Sequence, residues 1–160
     1  MSTKVKAKAS PKSTPKKTAA KSAAASKRAS SAPTTAKLKT HTIKNVKGTR
    51  KGTEDDVALI RNNDWRDSVD ADELRVHEGD LAIAGHYAGD DGRLLVRGNV
   101  TVTGTVSLDE TGTLIVTGNL HCKNLHCEGD LEVQGDVLVD ETIFGFYEAG
   151  ITFFHKKVKA

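Results

Sequence analysis

The sequence holds six histidines and two cysteines, and two of each fall within one octapeptide, LHCKNLHC, at residues 120–127. His121, Cys122, His126 and Cys127 are all residue types that bind zinc, which takes nitrogen and sulfur donors in a closed tetrahedron. The backbone decides whether they do. The octapeptide alternates apolar and polar at Leu120-His121-Cys122 and again at Leu125-His126-Cys127. Written as strand, that alternation sends both cysteines to the leucine side and both imidazoles to the other. Four donors split between two faces do not close a tetrahedron, so each cysteine reads as a small buried hydrophobe. No metal and no cofactor are expected.

Other groups capable of chemistry are equally scattered. The carboxylate pairs Asp90-Asp91, Asp109-Glu110 and Asp140-Glu141 read as solvated corners. A calcium site needs six to eight oxygen ligands, and no single loop supplies them. The glycines match neither a phosphate loop nor a nucleophile elbow. His77, His86 and His155 are separated from one another along the chain, and His41 lies in a basic N-terminal stretch. The chain is not expected to be an enzyme.

The elements that carry these residues follow from a repeat. GDLAIAG (79–85), GNVTVTG (98–104), GNLHCKN (118–124) and GDLEVQG (129–135) share one pattern, and GDVLVD (135–140) continues it. Each pairs a glycine with Asp or Asn at a tight corner and then alternates with period two. Further short apolar stretches at 94–96, 106–108, 114–116, 125–127, 131–133, 143–145 and 151–153 group with these in threes. Three short strands per roughly eighteen to twenty residues describe a triangular parallel β-helix, an all-β solenoid. The alternatives are a sandwich or a barrel, which also use short strands and glycine turns. The solenoid predicts columns: Val100 over Leu120 over Val137, Val102 over Cys122 over Val139, and Leu108 over Cys127. The octapeptide then spans two sides of one coil with a turn at Lys123-Asn124.

Charge divides the chain. Residues 1–53 hold fifteen Lys or Arg and no acid, giving +15, whereas residues 54–160 hold nine basic and twenty-one acidic residues, giving −12. All three prolines lie in the first part and twelve of fourteen glycines in the second. The first part is mostly Lys, Ala, Ser and Thr, with Val5, Leu38, Ile43 and Val46 as its larger aliphatics. It buries too little to offset chain entropy, so residues 1–53 are expected to be a disordered basic tail. Residues 54–78 are expected to cap the solenoid of residues 79–160. Thr53 is placed to N-cap a short helix, Trp65 and Val69 to cover the first coil, and ELRVHEGD (73–80) to join it as an edge strand. The stretch HYAGDDGR (86–93) reads as an insert. There is no apolar run long enough to span a bilayer and no secretory signal. Two cysteines so close together make no disulfide framework, which points to a reducing, cytoplasmic location.

Glycine-punctuated strands such as GNVTVTG, GTLIVTGNL and GDLEVQGDV, flanked by a polar tail, resemble the bactofilins, bacterial cytoskeletal proteins that polymerise without nucleotide. The resemblance covers Gly79 to Gly145 and implies a structural, self-associating protein. The units SPKS (10–13) and TPKK (14–17) resemble linker-histone tails, which implies DNA or RNA as a partner. Independently of that resemblance, a flexible polycation displaces counterions from phosphate without sequence preference. Lys4, Lys6, Lys8, Lys12, Lys16, Lys17, Lys21, Lys27 and Arg28 are the expected polyanion-binding residues. The tail has no aromatic residue for base stacking.

Five of the seven aromatics fall in the last seventeen residues. Phe144, Phe146, Tyr147, Phe153 and Phe154 therefore form either an aromatic-filled last coil or an exposed apolar end. They are the expected self-association residues of a homo-oligomer or polymer. The alternative to a scaffold is a non-specific nucleic-acid-binding protein whose β-domain is passive.

Overall fold

The computed structural model of the protein describes residues 38–145 and 150–160. The body is a parallel β-solenoid of about four turns. Two short strands come first, β1 (Thr40–Thr42) and β2 (Thr49–Lys51), followed by helical turns α1 (Glu54–Val57) and α2 (Asn63–Arg66). The first coil is β3 (Leu74–Glu78), β4 (Leu81–Ile83) and β5 (His86–Gly89). The second is β6 (Gly92–Arg97) and β7 (Val100–Leu108), and the third β8 (Gly112–Val116) and β9 (Leu120–Cys127). The fourth is β10 (Asp130–Val133) and β11 (Val137–Gly145); β12 (Thr152–Phe154) and β13 (Val158–Lys159) begin a fifth. Strands β7, β9 and β11 each turn one corner, marked by a register shift in mid-strand, so each contributes to two faces.

The columns fall where the repeat predicts. Leu81, Val100, Leu120, Val137 and Val158 stack on one face. Val102, Cys122 and Val139 form the next column, and Leu108 lies beside Cys127. The stretch at 86–93 is not an insert: β5 pairs with β7 and is the third face of the first coil. Tyr87 and Gly89 point inward there, and the small glycine leaves the alternation too weak to read as strand.

The corner motif has a physical cause. A Cβ on Gly118 would lie 2.6 Å from both the Gly98 carbonyl oxygen and Asn99 Oδ1, so the coils stack at this corner only without a side chain. The residue after each glycine supplies a ladder. Asn99 N–H donates to Asp80 Oδ1 at 2.7 Å, Asn119 N–H to Asn99 Oδ1 at 2.8 Å, and Asp136 N–H to Asn119 Oδ1 at 2.7 Å. Gly118→Ala is expected to cost about 2–3 kcal/mol by overpacking against backbone. Denaturant unfolding measures it, and an unchanged midpoint would contradict the close stack.

The first face is formed by β3, β6, β8, β10 and β12, and its middle strands β6, β8 and β10 are buried on both sides. Leu94, Leu114 and Leu131 point into the solenoid, while Leu95 and Ile115 point out and are fully buried nonetheless. Their cover is the segment 54–73, through Val57, Ile60, Trp65 and Val69. This corrects two expectations. Trp65 and Val69 do not close the end of the first coil; they lie along the flank of the solenoid, with Leu95 and Ile115. Nor is β3 an edge: it pairs antiparallel with β2 and parallel with β6.

The flanking segment starts as expected at Thr53, in a capping box with Asp56. Asp56 is buried and receives Arg50 at 2.6 Å, with Arg97 3.5 Å away. The Arg50 hydrogen bond, aided by Thr53, lowers the Asp56 pKa from 3.8 to about 2. A carboxyl with a depressed folded pKa stabilises the fold above its unfolded value and loses that contribution on acidification. Stability is therefore expected to fall between about pH 4 and pH 2 by roughly 1–2 kcal/mol, discounted because Arg50 is partly solvated. In Asp56→Asn that portion of the acid limb is expected to disappear, as followed by thermal melts across pH.

Candidate self-association surface

The two ends of the solenoid differ. At the N-terminal end, β1 pairs parallel with β5, and a 3₁₀ turn at Ile43–Asn45 folds over the opening. Ile43 and Val46 are only 9% and 8% exposed and join the same apolar cluster as Leu81, Ile83, Tyr87 and Leu94. The plug therefore belongs to residues 38–53, which the sequence places in the tail. The expectation of a disordered tail running to Thr53 is corrected by sixteen residues, because two aliphatics at the right spacing suffice to seal a small triangular core. The rest of that expectation, and with it Lys4, Lys6, Lys8, Lys12, Lys16, Lys17, Lys21, Lys27 and Arg28, lies outside the described residues.

At the C-terminal end the last inward layer has no such cover among the described residues. Ile143 continues the Leu125 column and Val158 the Val137 column, both positions that are buried one coil earlier. Here they are 38% and 43% exposed. Phe154 continues the Val133 column and packs against the core. Strand edges on β11, β12 and β13 frame this bare layer.

Among the described residues, the terminal aromatics are not gathered into one surface. Phe144 points outward and lies on His126, ring centroids 4.8 Å apart. Phe153 points outward on the first face and meets Trp65 edge-on at 5.9 Å. Phe154 alone of the described ones turns into the solenoid. Phe146 and Tyr147 lie outside the described residues.

The octapeptide takes up the predicted geometry. Cys122 and Cys127 are buried, whereas His121 and His126 face out toward Asp140 and Glu128. Burial pushes the Cys122 thiol up to about 12 and raises Cys127 as well. Both thiols are expected to resist a thiol reagent at neutral pH in the folded protein and to react fully once denatured. Rapid labelling of the native protein would contradict the inward placement. Among the described residues no group of three or more His, Cys, Asp or Glu is arranged to hold a metal ion. The carboxylate pairs sit at corners, where Asp109 Oδ1 accepts from Thr111 N–H at 3.1 Å.

Sequence reasoning missed Glu132. It is fully buried. It accepts from Arg61 N–H at 3.0 Å, Asn62 N–H at 3.1 Å and Gln134 Nε2 at 2.9 Å. His155 Nε2 lies 3.4 Å away, and Gln134 Nε2 also donates to the Leu59 carbonyl at 2.7 Å. Together they tie the flanking segment to the fourth coil. A signal was present: Leu94-Leu95-Val96 and Leu114-Ile115-Val116 are unbroken apolar runs, the mark of a strand covered on both faces. Glu132 occupies the same outward column.

No helix among the described residues is long and apolar enough to cross a membrane. Compared with known proteins, the chain matches no family model, no curated protein and no solved structure.

Proposed function

We propose that the protein is a structural, self-associating β-helix scaffold, tethered to polyanions by its basic N-terminal arm. The observation that carries this reading is the asymmetry of the ends: one is plugged by Ile43 and Val46, whereas at the other no described residue covers Ile143 and Val158 between the strand edges. Open edges beside an apolar layer are templates for association. The bactofilin-like repeat of the body supports the same role.

The arm's contribution rests on composition. Residues 1–37 carry ten Lys or Arg and no acid, a charge density that binds phosphate backbones through counterion release. Deleting residues 1–37 is expected to abolish retention of a random DNA or RNA duplex in a gel shift. The intact protein's affinity is expected to fall steeply with salt. Unchanged affinity after the deletion would sink the tether. The second reading, a nucleic-acid-binding protein with a passive body, is favoured if the truncated protein neither binds nor self-associates while the intact one binds as a monomer.

A further inference from the structure

Between the plug and the first coil lies a cleft of about 420 Å³, large enough for a small molecule. Its lining is charged. Lys44 comes from the 3₁₀ turn of the plug, Thr49 from β2, Glu73 and Arg75 from the entry to the first face, and Asp91 and Arg93 from the turn into β6. Arg93 is neutralised by Glu73, with which it pairs. Among the described residues, Lys44, Arg75 and Asp91 enter no ion pair. Arg75 breaks a column. Leu74 and Val76 on either side of it face the flanking segment, so Arg75 points to the solenoid side of β3. There it aligns with Leu94, Leu114 and Leu131, all inward and buried. Lys51 of β2 stands directly opposite Arg75, and like charges opposed across a ladder destabilise a sheet. A cationic pair at the head of an apolar column, beside a cleft, is an arrangement that an anion relieves. Asp91 supplies the other sign. It is the one described residue other than glycine with a positive φ, 47°. Its N–H donates to Thr111 Oγ1 at 3.2 Å, so the turn is held through the backbone and not through the carboxylate.

We propose that the cleft binds a small zwitterion of the α-amino-acid class, with its carboxylate on Arg75 and Lys44 and its ammonium on Asp91. A guanidinium meets a carboxylate with two parallel N–H donors, and the lysine adds a point charge. A simple anion fits less well, because Asp91 repels it. A simple cation fits less well, because Arg75 and Lys44 repel it. A ligand that carries both signs satisfies both sets of groups. The cations Lys44, Lys51 and Arg75 outnumber Asp91, which favours an amino acid with a second carboxylate. Lys44 belongs to the plug, whereas Arg75 and Asp91 belong to the solenoid. The ligand therefore bridges the two and tightens the seal made by Ile43 and Val46. This site is independent of the C-terminal end and of the basic arm.

The test is a titration of the full-length protein with L-glutamate at constant ionic strength, followed through its backbone amide signals by NMR. N-acetylglutamate, which lacks the ammonium, and inorganic phosphate serve as anions alone. With glutamate, saturable shifts at Thr49, Arg75 and Gly92 are expected, together with a rise in melting temperature. Arg75→Gln is expected to weaken glutamate binding at least about tenfold, through loss of a charged hydrogen-bond pair. Asp91→Asn keeps a residue that tolerates positive φ. It is expected to weaken glutamate about tenfold and to tighten phosphate, since the ammonium loses its partner and the anion loses a repulsion. The tightened phosphate also shows that this variant is folded. Equal binding of glutamate, N-acetylglutamate and phosphate, with all three tightened by Asp91→Asn, would overturn the zwitterion in favour of a plain anion site. Absence of saturable shifts at the cleft with glutamate would overturn the site altogether. Either result would leave the scaffold reading untouched.

Discussion

Removing residues 1–53 is expected to unfold the first coil, whereas removing residues 1–37 leaves the melting temperature unchanged. The first cut takes away β1, β2, Ile43 and Val46, and it strips Arg50 from Asp56. Two buried aliphatic side chains alone represent about 3–6 kcal/mol of transfer free energy. That is comparable to the whole stability of a small domain. The second cut leaves the plug, both strands and the ion pair in place. Circular dichroism melts of the two truncations decide the matter. Equal stability of the two would mean that residues 38–53 do not seal the core.

Glu132→Ala is expected to be the most damaging single substitution on the flank, at about 2–4 kcal/mol. The carboxylate takes the backbone N–H groups of Arg61 and Asn62, and alanine leaves both without a partner in a water-poor site. Gln134 loses the same oxygen. Glu132→Gln keeps one carbonyl oxygen and is expected to recover part of the loss. Trp65 reports on the outcome, being the chain's single tryptophan and buried in the flanking cluster. A red-shifted emission at temperatures below the main transition is expected in Glu132→Ala, as the segment lifts from β8 and β10. Unaltered emission and stability would show that apolar contacts alone hold the segment.

The solenoid was legible because its corners and columns are short-range and periodic. Gly98-Asn99 and Gly118-Asn119 announce the corner, and period-two alternation tells inward from outward at Cys122 and His121. What stayed hidden depends on contacts distant in sequence. Ile43 and Val46 look like stray aliphatics in a lysine-rich stretch, since their partners Leu81 and Leu94 lie some forty to fifty residues away. Glu132 reads as a solvent-facing polar residue until the run Leu114-Ile115-Val116 beside it is recognised as two-sided. The position of Trp65 ahead of the first coil suggests a cap, but its partners lie on the flank, at Leu95 and Ile115. The strand β5 escaped because Gly89 replaces the apolar residue that its column carries at Leu108 and Cys127.

The same distinction applies to the terminal aromatics. Their number drew attention to the C-terminal coil, but the strand pleat sends Phe144 and Phe153 to its outer surfaces. Among the described residues, the layer that faces the opening is built from Ile143, Phe154 and Val158, and one of these is aromatic. Association through that layer depends on aliphatic residues that composition alone does not single out.

Sedimentation velocity of the full-length protein reads self-association through the C-terminal end. Across a concentration series from micromolar upward, a shift from monomer to a larger species is expected. Ile143→Lys with Val158→Lys is predicted to abolish that shift without altering the circular dichroism spectrum. A single monomeric boundary for the wild-type protein at every concentration and salt would contradict it.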